Sequence, residues 1–316
     1  MDRIEVKPRD VEGALTVVRE VAIHTPLLPV TDGDARAFLK LENLQRLGAF
    51  KIRGVWNRLT RLPEEDRRRG VATISSGNHG LALAWASKRL GFPCVVHVPV
   101  GGNPRKVEGI RAHGAEVRTL SRPELVRTYE DESWRSWPET FIHPFAHAHT
   151  IAGQGTAGWE IVDDLPDVRT VLVPVGGGGL ATGIALGIRG RVPGVKVFGV
   201  QADGAAPLPE ALRTGRPSRI EAPRTIADGI GVGMIVESMV DLLRRNLDGC
   251  LLISEEDLLD AMRTLLLEAK VVAEPAGAAA FAAWKRYRDR LEAPVVAVIS
   301  GGNVDPAVLA RVTASP

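Results

Sequence analysis

The sequence predicts an α/β protein built on parallel-rich, open twisted sheets. Short β-branched runs alternate with longer Ala- and Leu-rich stretches of helical period. Helices lying between strands supply the crossovers that parallel strands need, so both faces of a sheet are covered. Three of the strand candidates also run straight into Gly/Ser-rich turns.

Taken along the chain, the first strand candidates are GVATI (70–74) and PCVVHVP (93–99), with the helical pattern GLALAWASKRLG (80–91) between them. AEVRTL (115–120) is a third short β-branched run. RPELVRTYEDESWRSWPET (122–140) is the least regular stretch, with many charges, two Trp and two Pro. It reads as an exposed helix with loops, closing a subdomain. TVLVPV (170–175), the helical LATGIALGIRG (180–190) and KVFGVQA (196–202) restore the alternation. EEDLLDAMRTLLLEAK (255–270) is a helix with Ser254 as N-cap and acidic residues in its first turn. PVVAVI (294–299) is the last strand candidate. No internal repeat or low-complexity segment is present.

At 316 residues the chain suits one large domain or two modest ones. Hydrophobic residues at 45% supply a sizeable core, and 25% charged residues with a mean hydropathy of +0.01 suit an ordinary globular protein. A net charge of +2 without an aromatic-interleaved basic stripe argues against a nucleic-acid partner. The runs EEDRRRG (64–70) and LLRRNL (242–247) are short and read as solvated faces. Cys94 and Cys250 lie far apart, Cys94 within an apolar run, so buried thiols are expected rather than a disulfide or metal ligands. There is no CxxC and no HExxH, and no metal site is expected. MDRIEVKPRD is not a signal peptide, and no apolar run approaches about 18 residues. A cytoplasmic protein without a membrane partner is the expectation.

The three turns share a chemistry. The strand at 70–74 leads into SSGNHG (75–80), that at 170–175 into GGGG (176–179), and that at 294–299 into SGGN (300–303). In open parallel sheets ligands bind beyond the carboxyl ends of strands, so one cleft could gather all three. The glycine run leaves backbone N–H groups unshielded ahead of a helix, which makes an anion cradle suited to phosphate. Gly176, Gly178 and Ala181, with Asp203 after the next strand, also fit a loose dinucleotide fingerprint, and a tight ligand-free turn is the plain alternative. SSGNHG offers two hydroxyls, an amide and an imidazole at a helix start, able to hold a carboxylate or simply to cap the helix. Ser300 offers a neutral hydroxyl at a strand end, or a plain turn.

Lys51 completes the set. The chain holds lysine only at 7, 40, 51, 88, 106, 196, 270 and 285, yet places one beside Phe50 among small and apolar residues. Arginine stays protonated; a lysine can lose its proton and attack a carbonyl. A phosphate cradle, a carboxylate site, a polar contact and such a lysine together suit a phosphorylated aldehyde cofactor, and pyridoxal phosphate is that molecule.

The chain resembles the fold-type II pyridoxal-phosphate enzymes (tryptophan synthase β-like), in the threonine/serine dehydratase and serine racemase family. HTPLL (24–28), KLENLQRLGAFKIRG (40–54), SSGNHG (75–80), HGAEV (113–117), HPF (143–145), IAGQGT (151–156), PVGGGGL (174–180), TIADGIG (225–231), EPAGA (274–278) and SGGN (300–303) carry the resemblance in order and spacing. It implies that Lys51 forms the internal Schiff base and acts as base at the substrate Cα. It implies that Phe50 packs on the pyridine ring and that Asn78 meets the phenolic oxygen. Gly176, Gly177, Gly178, Gly179 and Leu180 would hold the phosphate, Ser300 the ring nitrogen, and Glu274 would belong to the cofactor site. Ser75, Ser76, Asn78 and His79 would bind the substrate carboxylate, Ser76 doubling as the acid/base of racemases. A serine at the ring nitrogen does not enforce its protonation, which favours prompt elimination over a long-lived carbanion.

The resemblance also implies an organisation: a large cofactor domain from residues 1–66 and 146–316, and a smaller inserted domain, 67–145, that closes over substrate. It implies a small amino acid as substrate and a homo-oligomer, dimer or tetramer. The implied reaction removes the β-hydroxyl of a hydroxy amino acid such as threonine or serine, giving a 2-keto acid and ammonia. A racemase, or another β-elimination or β-replacement enzyme acting on hydroxyaspartate or phenylserine, is the alternative. A nicotinamide oxidoreductase would leave Lys51 and SSGNHG unexplained. The chain departs from the family pattern at Ala49, where a serine is usual, at Ala146 and His147, where an acidic pair is common, and at Gln201 and Pro207, where a cation site has acidic groups. Trp134 and Trp137 mark a shortened segment, which bears on substrate choice.

Overall fold

The computed structural model describes residues 3–30, 36–102 and 104–314. Helix α1 (Pro8–Val18) buries Val11, Ala14, Leu15 and Val18, the stripe that a 3.6-residue period puts on one face. Strands β1 (Leu27–Val30) and β2 (Ala37–Lys40) pair antiparallel, followed by α2 (Lys51–Leu59) and α3 (Glu64–Arg69).

A four-stranded parallel sheet comes next in the chain. It consists of β3 (Val71–Ile74), α4 (Asn78–Leu90), β4 (Cys94–Pro99), α5 (Pro104–Ala112), β5 (Glu116–Leu120), α6 (Arg122–Glu130) and β6 (Thr140–Phe141), in the strand order β5-β4-β3-β6. The chain then runs through α7 (Ala148–Asp164), β7 (Thr170–Pro174), α8 (Gly179–Arg189), β8 (Lys196–Ala202), α9 (Leu208–Thr214), β9 (Ser218–Arg219) and β10 (Met234–Ile235). It ends with α10 (Glu237–Asn246), β11 (Gly249–Ile253), α11 (Glu255–Leu267), α12 (Pro275–Tyr287), β12 (Val295–Val298) and α13 (Pro306–Ala314). These strands join the first two in a six-stranded sheet of order β1-β2-β12-β7-β8-β11, parallel except at β1, while β9 and β10 form a small ribbon.

The larger sheet is covered on both faces. Val171 and Val173 face one apolar cluster and Leu172 between them faces the other, as the two-residue period of a strand requires. A third cluster fills the smaller sheet's helical side, where Leu83, Val96 and Ile110 meet Ile52, Val55 and Trp56 of α2. Thus α2 packs its apolar face on the smaller sheet's core and turns Arg53 towards α7.

The six strands expected from sequence are all present, each within a residue of its expected ends. Ser254 caps α11 as expected: its Oγ accepts from the Asp257 N–H at 3.1 Å and its own N–H donates to Asp257 Oδ2 at 2.8 Å. Both cysteines are free thiols, Cys94 buried and Cys250 half-buried. Strands β1, β2 and β11 were not foreseen. The irregular 122–140 stretch does hold a helix, but α6 is not simply exposed, because Leu125 and Tyr129 reach the central cavity.

Candidate active site

The three Gly/Ser-rich turns converge. A cavity of about 460 Å³ is lined by Ser75, Ser76 and Asn78 beyond β3, by the glycine run beyond β7 and by Ser300 beyond β12. Every site residue inferred from sequence lies on its wall: Phe50, Lys51, Ser75, Ser76, Asn78, His79, Gly176, Gly177, Gly178, Gly179, Leu180, Glu274 and Ser300. Four helices also start at this wall. Helix α2 begins at Lys51, α4 at Asn78, α8 at Gly179 and α12 at Pro275. Their first-turn N–H groups lack intrahelical partners and carry the positive ends of the dipoles, which makes the cavity receptive to anions.

The glycine run is tightly boxed. A Cβ on Gly177 would run into the Phe145 ring, and one on Gly179 would meet the Phe145 carbonyl oxygen at 2.9 Å. Gly178 has a φ of +92°, and no side chain caps the helix that follows it. Only backbone fits there, with the α8 N–H groups left unspent at the surface of the cavity.

Lys51 is positioned through the backbone before it. The Phe50 N–H donates to the Ser300 carbonyl at 3.2 Å, Ala49 bridges to Gly301, and the Asn43 N–H donates to the Ile299 carbonyl at 2.9 Å. On the far side of α2, Arg53 is wholly buried and donates to both carboxylates of Glu42 and Glu160, at 2.6–2.8 Å. Lys40 joins this cluster, 2.8 Å from Glu160, and donates to the Thr25 carbonyl at 2.7 Å. Sequence reasoning missed the cluster. Charges inside KLENL and FKIRG were its only signal, and its fourth member, Glu160, lies far along the chain.

The Lys51 Nζ lies 4.9 Å from the Phe50 ring centre and 3.4 Å from the Pro144 carbonyl oxygen. Burial lowers its pKa to about 8, against the opposing pull of Glu274. Burial, aided by Asp228, raises Glu274 to about 7, with Lys106, Asn78 and Lys51 opposing. The Asn78 Nδ2 donates to Glu274 Oε1 at 2.7 Å and its Oδ1 accepts from Asn303 Nδ2 at 2.8 Å. One proton on Asn78 Nδ2 is left for a ligand.

His79 is held differently. It is 2% exposed, its Nε2 contacts the Ile142 carbonyl at 3.2 Å and its Nδ1 has no partner. Burial, with Lys51 nearby, lowers its pKa to about 3. The ring is therefore neutral with its proton on Nε2, and Nδ1 offers no hydrogen to a carboxylate. What His79 can offer an anion is its backbone N–H in the first turn of α4.

Other expectations resolve in the same way. Asp203 is exposed and accepts from the Gly204 N–H, and it is not on the cavity wall, which removes the dinucleotide reading. Gln201 is engaged at both ends, with Val175 and Leu208, and Pro207 precedes α9. His147 caps α7 through the His149 N–H. Leu125, Tyr129, Gln154, Lys106 and Asp228 line the cavity without having been foreseen.

A buried lysine of lowered pKa, an anion cradle of bare backbone and a second helix start preceded by hydroxyls make a site suited to a phosphorylated aldehyde. The residues fit pyridoxal phosphate, since the cradle admits no side chain and Lys51 is partly unprotonated near neutral pH. Residues 18–301 match the family described as "Pyridoxal-phosphate dependent enzyme", and the chain belongs to it. It is 41% identical to the L-threonine ammonia-lyase of Thermotoga maritima, over 92% of this chain and 73% of that one. It is 34% identical to the serine racemase of Schizosaccharomyces pombe over 94% of both chains. Among solved structures, the T.th. threonine deaminase superposes with a TM-score of 0.86 at 36% identity, covering 94% of this chain and 98% of that one.

Proposed function

We propose that this chain is a pyridoxal-phosphate-dependent ammonia-lyase that removes the β-hydroxyl of a hydroxy amino acid such as threonine or serine. The products are a 2-keto acid and ammonia. The observation that carries this is the convergence of Lys51, the glycine cradle and the Ser75–His79 turn on one cavity. The relatedness to threonine ammonia-lyases supports the reaction class.

When bound, pyridoxal phosphate supplies an electron sink for the pair left at the substrate Cα. Lys51 would hold it through its amine, and the N–H groups of Gly176, Gly177, Gly178, Gly179 and Leu180 would hold its phosphate. Phe50 would pack on the ring, Asn78 and Glu274 would lie along its polar edge, and the Ser300 hydroxyl would meet the ring nitrogen. The hydroxyls of Ser75 and Ser76, with the N–H groups of Asn78 and His79, would bind the substrate carboxylate. The Lys51 amine, when free, would take the Cα proton, which its depressed pKa permits near neutral pH. Hydroxide is a poor leaving group and needs a proton, for which Ser76 would be one donor and the cofactor's own phosphate the other. Apolar walls and the smaller sheet's lobe exclude water while the proton moves.

The serine racemase relative supports a second reading, in which the Ser76 hydroxyl serves the opposite face of Cα. We further propose a cytoplasmic homo-oligomer. Two free cysteines suit a reducing compartment, and among the described residues no helix is long and apolar enough to cross a membrane.

The test is keto-acid and ammonia release from L- and D-serine and threonine, with chiral analysis of the recovered amino acid. Release supports the lyase; inversion without release supports the racemase. Lys51→Ala should abolish turnover and the visible absorbance of the lysine-bound cofactor, and retained turnover would sink the mechanism.

A further inference from the structure

Two apolar side chains of α6 line the same cavity as the polar groups. Leu125 and Tyr129 stand one turn apart on α6, so both project from the same helix face. Ile74 and Pro99 also line the cavity.

Tyr129 is fixed there from behind. Its ring sits edge-on to Trp134, with centroids 5.6 Å apart, and Trp134 stacks on Phe141 at 4.8 Å. Its hydroxyl reaches the Ile74 carbonyl at 3.4 Å, so the group a polar ligand would want is turned to the backbone. Trp134 is 8% exposed, a structural support rather than a surface. An aromatic ring held by other rings costs a ligand little ordering when it packs against it.

Charge is distributed accordingly. The Lys, Arg, Asp and Glu side chains on the wall are Lys51, Glu274, Lys106 and Asp228. The first two belong to the site described above, and Lys106 is paired with Asp228 at 2.5 Å. A second carboxylate on the substrate would be buried against Leu125 and Tyr129, an unfavourable placement.

We propose that Leu125 and Tyr129 determine specificity, selecting β-hydroxy amino acids whose β-carbon carries an uncharged apolar group, methyl or larger. The proposal rests on the lyase reading above and narrows its substrate class. Each methyl buried on such a wall contributes a factor of roughly ten or more in kcat/KM.

The experiment uses the cofactor-loaded enzyme with threonine, β-phenylserine, serine and 3-hydroxyaspartate. Threonine and phenylserine should exceed serine by about tenfold or more, with 3-hydroxyaspartate last. Tyr129→Ala should cut the threonine-to-serine ratio about tenfold, mainly through KM; Leu125→Ala serves if that variant fails to fold. A preference for 3-hydroxyaspartate or serine, or a ratio unmoved in the folded variant, would overturn the proposal while leaving the lyase standing. Release from none of the four would instead remove the lyase reading. Titration calorimetry with L-norvaline and L-aspartate then judges the wall alone. Tighter norvaline binding, weakened by the substitution, supports it, and equal binding of the two refutes it.

Discussion

Lys51 owes its chemistry to the place its ammonium occupies. In water a lysine is almost wholly protonated near pH 7. Here burial at the start of α2 brings its pKa to about 8, so an appreciable fraction is a free amine. The rate at which the cofactor-free chain takes up pyridoxal phosphate should therefore rise with pH and level off above about 8. Stopped-flow absorbance checks this, and a rate flat from pH 6.5 to 9 would refute the depressed value. This residue was legible in the sequence because a lysine among apolar neighbours in an arginine-rich chain is conspicuous. The neutral ring of His79 was not, since its state follows from burial and from the nearness of Lys51, neither of which a motif displays.

At the scale of the element, α2 is a helix with two different commitments. Ile52, Val55 and Trp56 lock one face into the smaller sheet's core, and Arg53 ties the other to Glu42 and Glu160. Paired on every side, Arg53 keeps its charge and is pushed further above its ordinary pKa by both carboxylates, against burial. Its replacement takes from the buried Glu42 its ion-pair partner and leaves Glu160 with Lys40 alone, so Arg53→Met should destabilise the protein by about 3–5 kcal/mol. Urea unfolding measures this, and a loss under about 1 kcal/mol would show that the cluster carries little. The strands that lead into the three turns were legible because a buried parallel strand is a short apolar run with a Gly/Ser stop. Strands β1, β2 and β11 were not, because their pairing is decided by partners distant in sequence. The role of α6 was missed for a related reason: charged residues mask the single face on which Leu125 and Tyr129 meet the cavity.

On the scale of the molecule, burying neutral histidines makes stability depend on pH. His79, His143 and His147 are each lowered to about 3, in every case chiefly by burial. Between that value and the ordinary 6.5, the unfolded chain binds protons that the native one does not. Stability is therefore lost as pH falls below 6.5, at up to about 1.4 kcal/mol per pH unit for each ring. Glu274 acts in the opposite sense: raised to about 7, it holds a proton that the unfolded chain releases above 4.5. It offsets one histidine, leaving a net loss of up to about 2.8 kcal/mol per unit between pH 6.5 and 5. The melting temperature of the cofactor-free chain should fall over this range, and a constant value would contradict the neutral histidines.

The central position of β12 has a consequence for how the chain is made. Val295 pairs with Ala37 on one side and with Thr170 on the other, so the larger sheet has a gap in its middle until the last strand arrives. During synthesis the smaller sheet, complete once Phe141 has emerged, can close from nearby segments. Strands β1 and β2 must wait as an isolated hairpin, with their apolar faces uncovered, for nearly the whole time of translation. The nascent chain thus carries an open sheet edge longest at the segment that leads into Lys51, and chaperone occupancy on the ribosome should concentrate there.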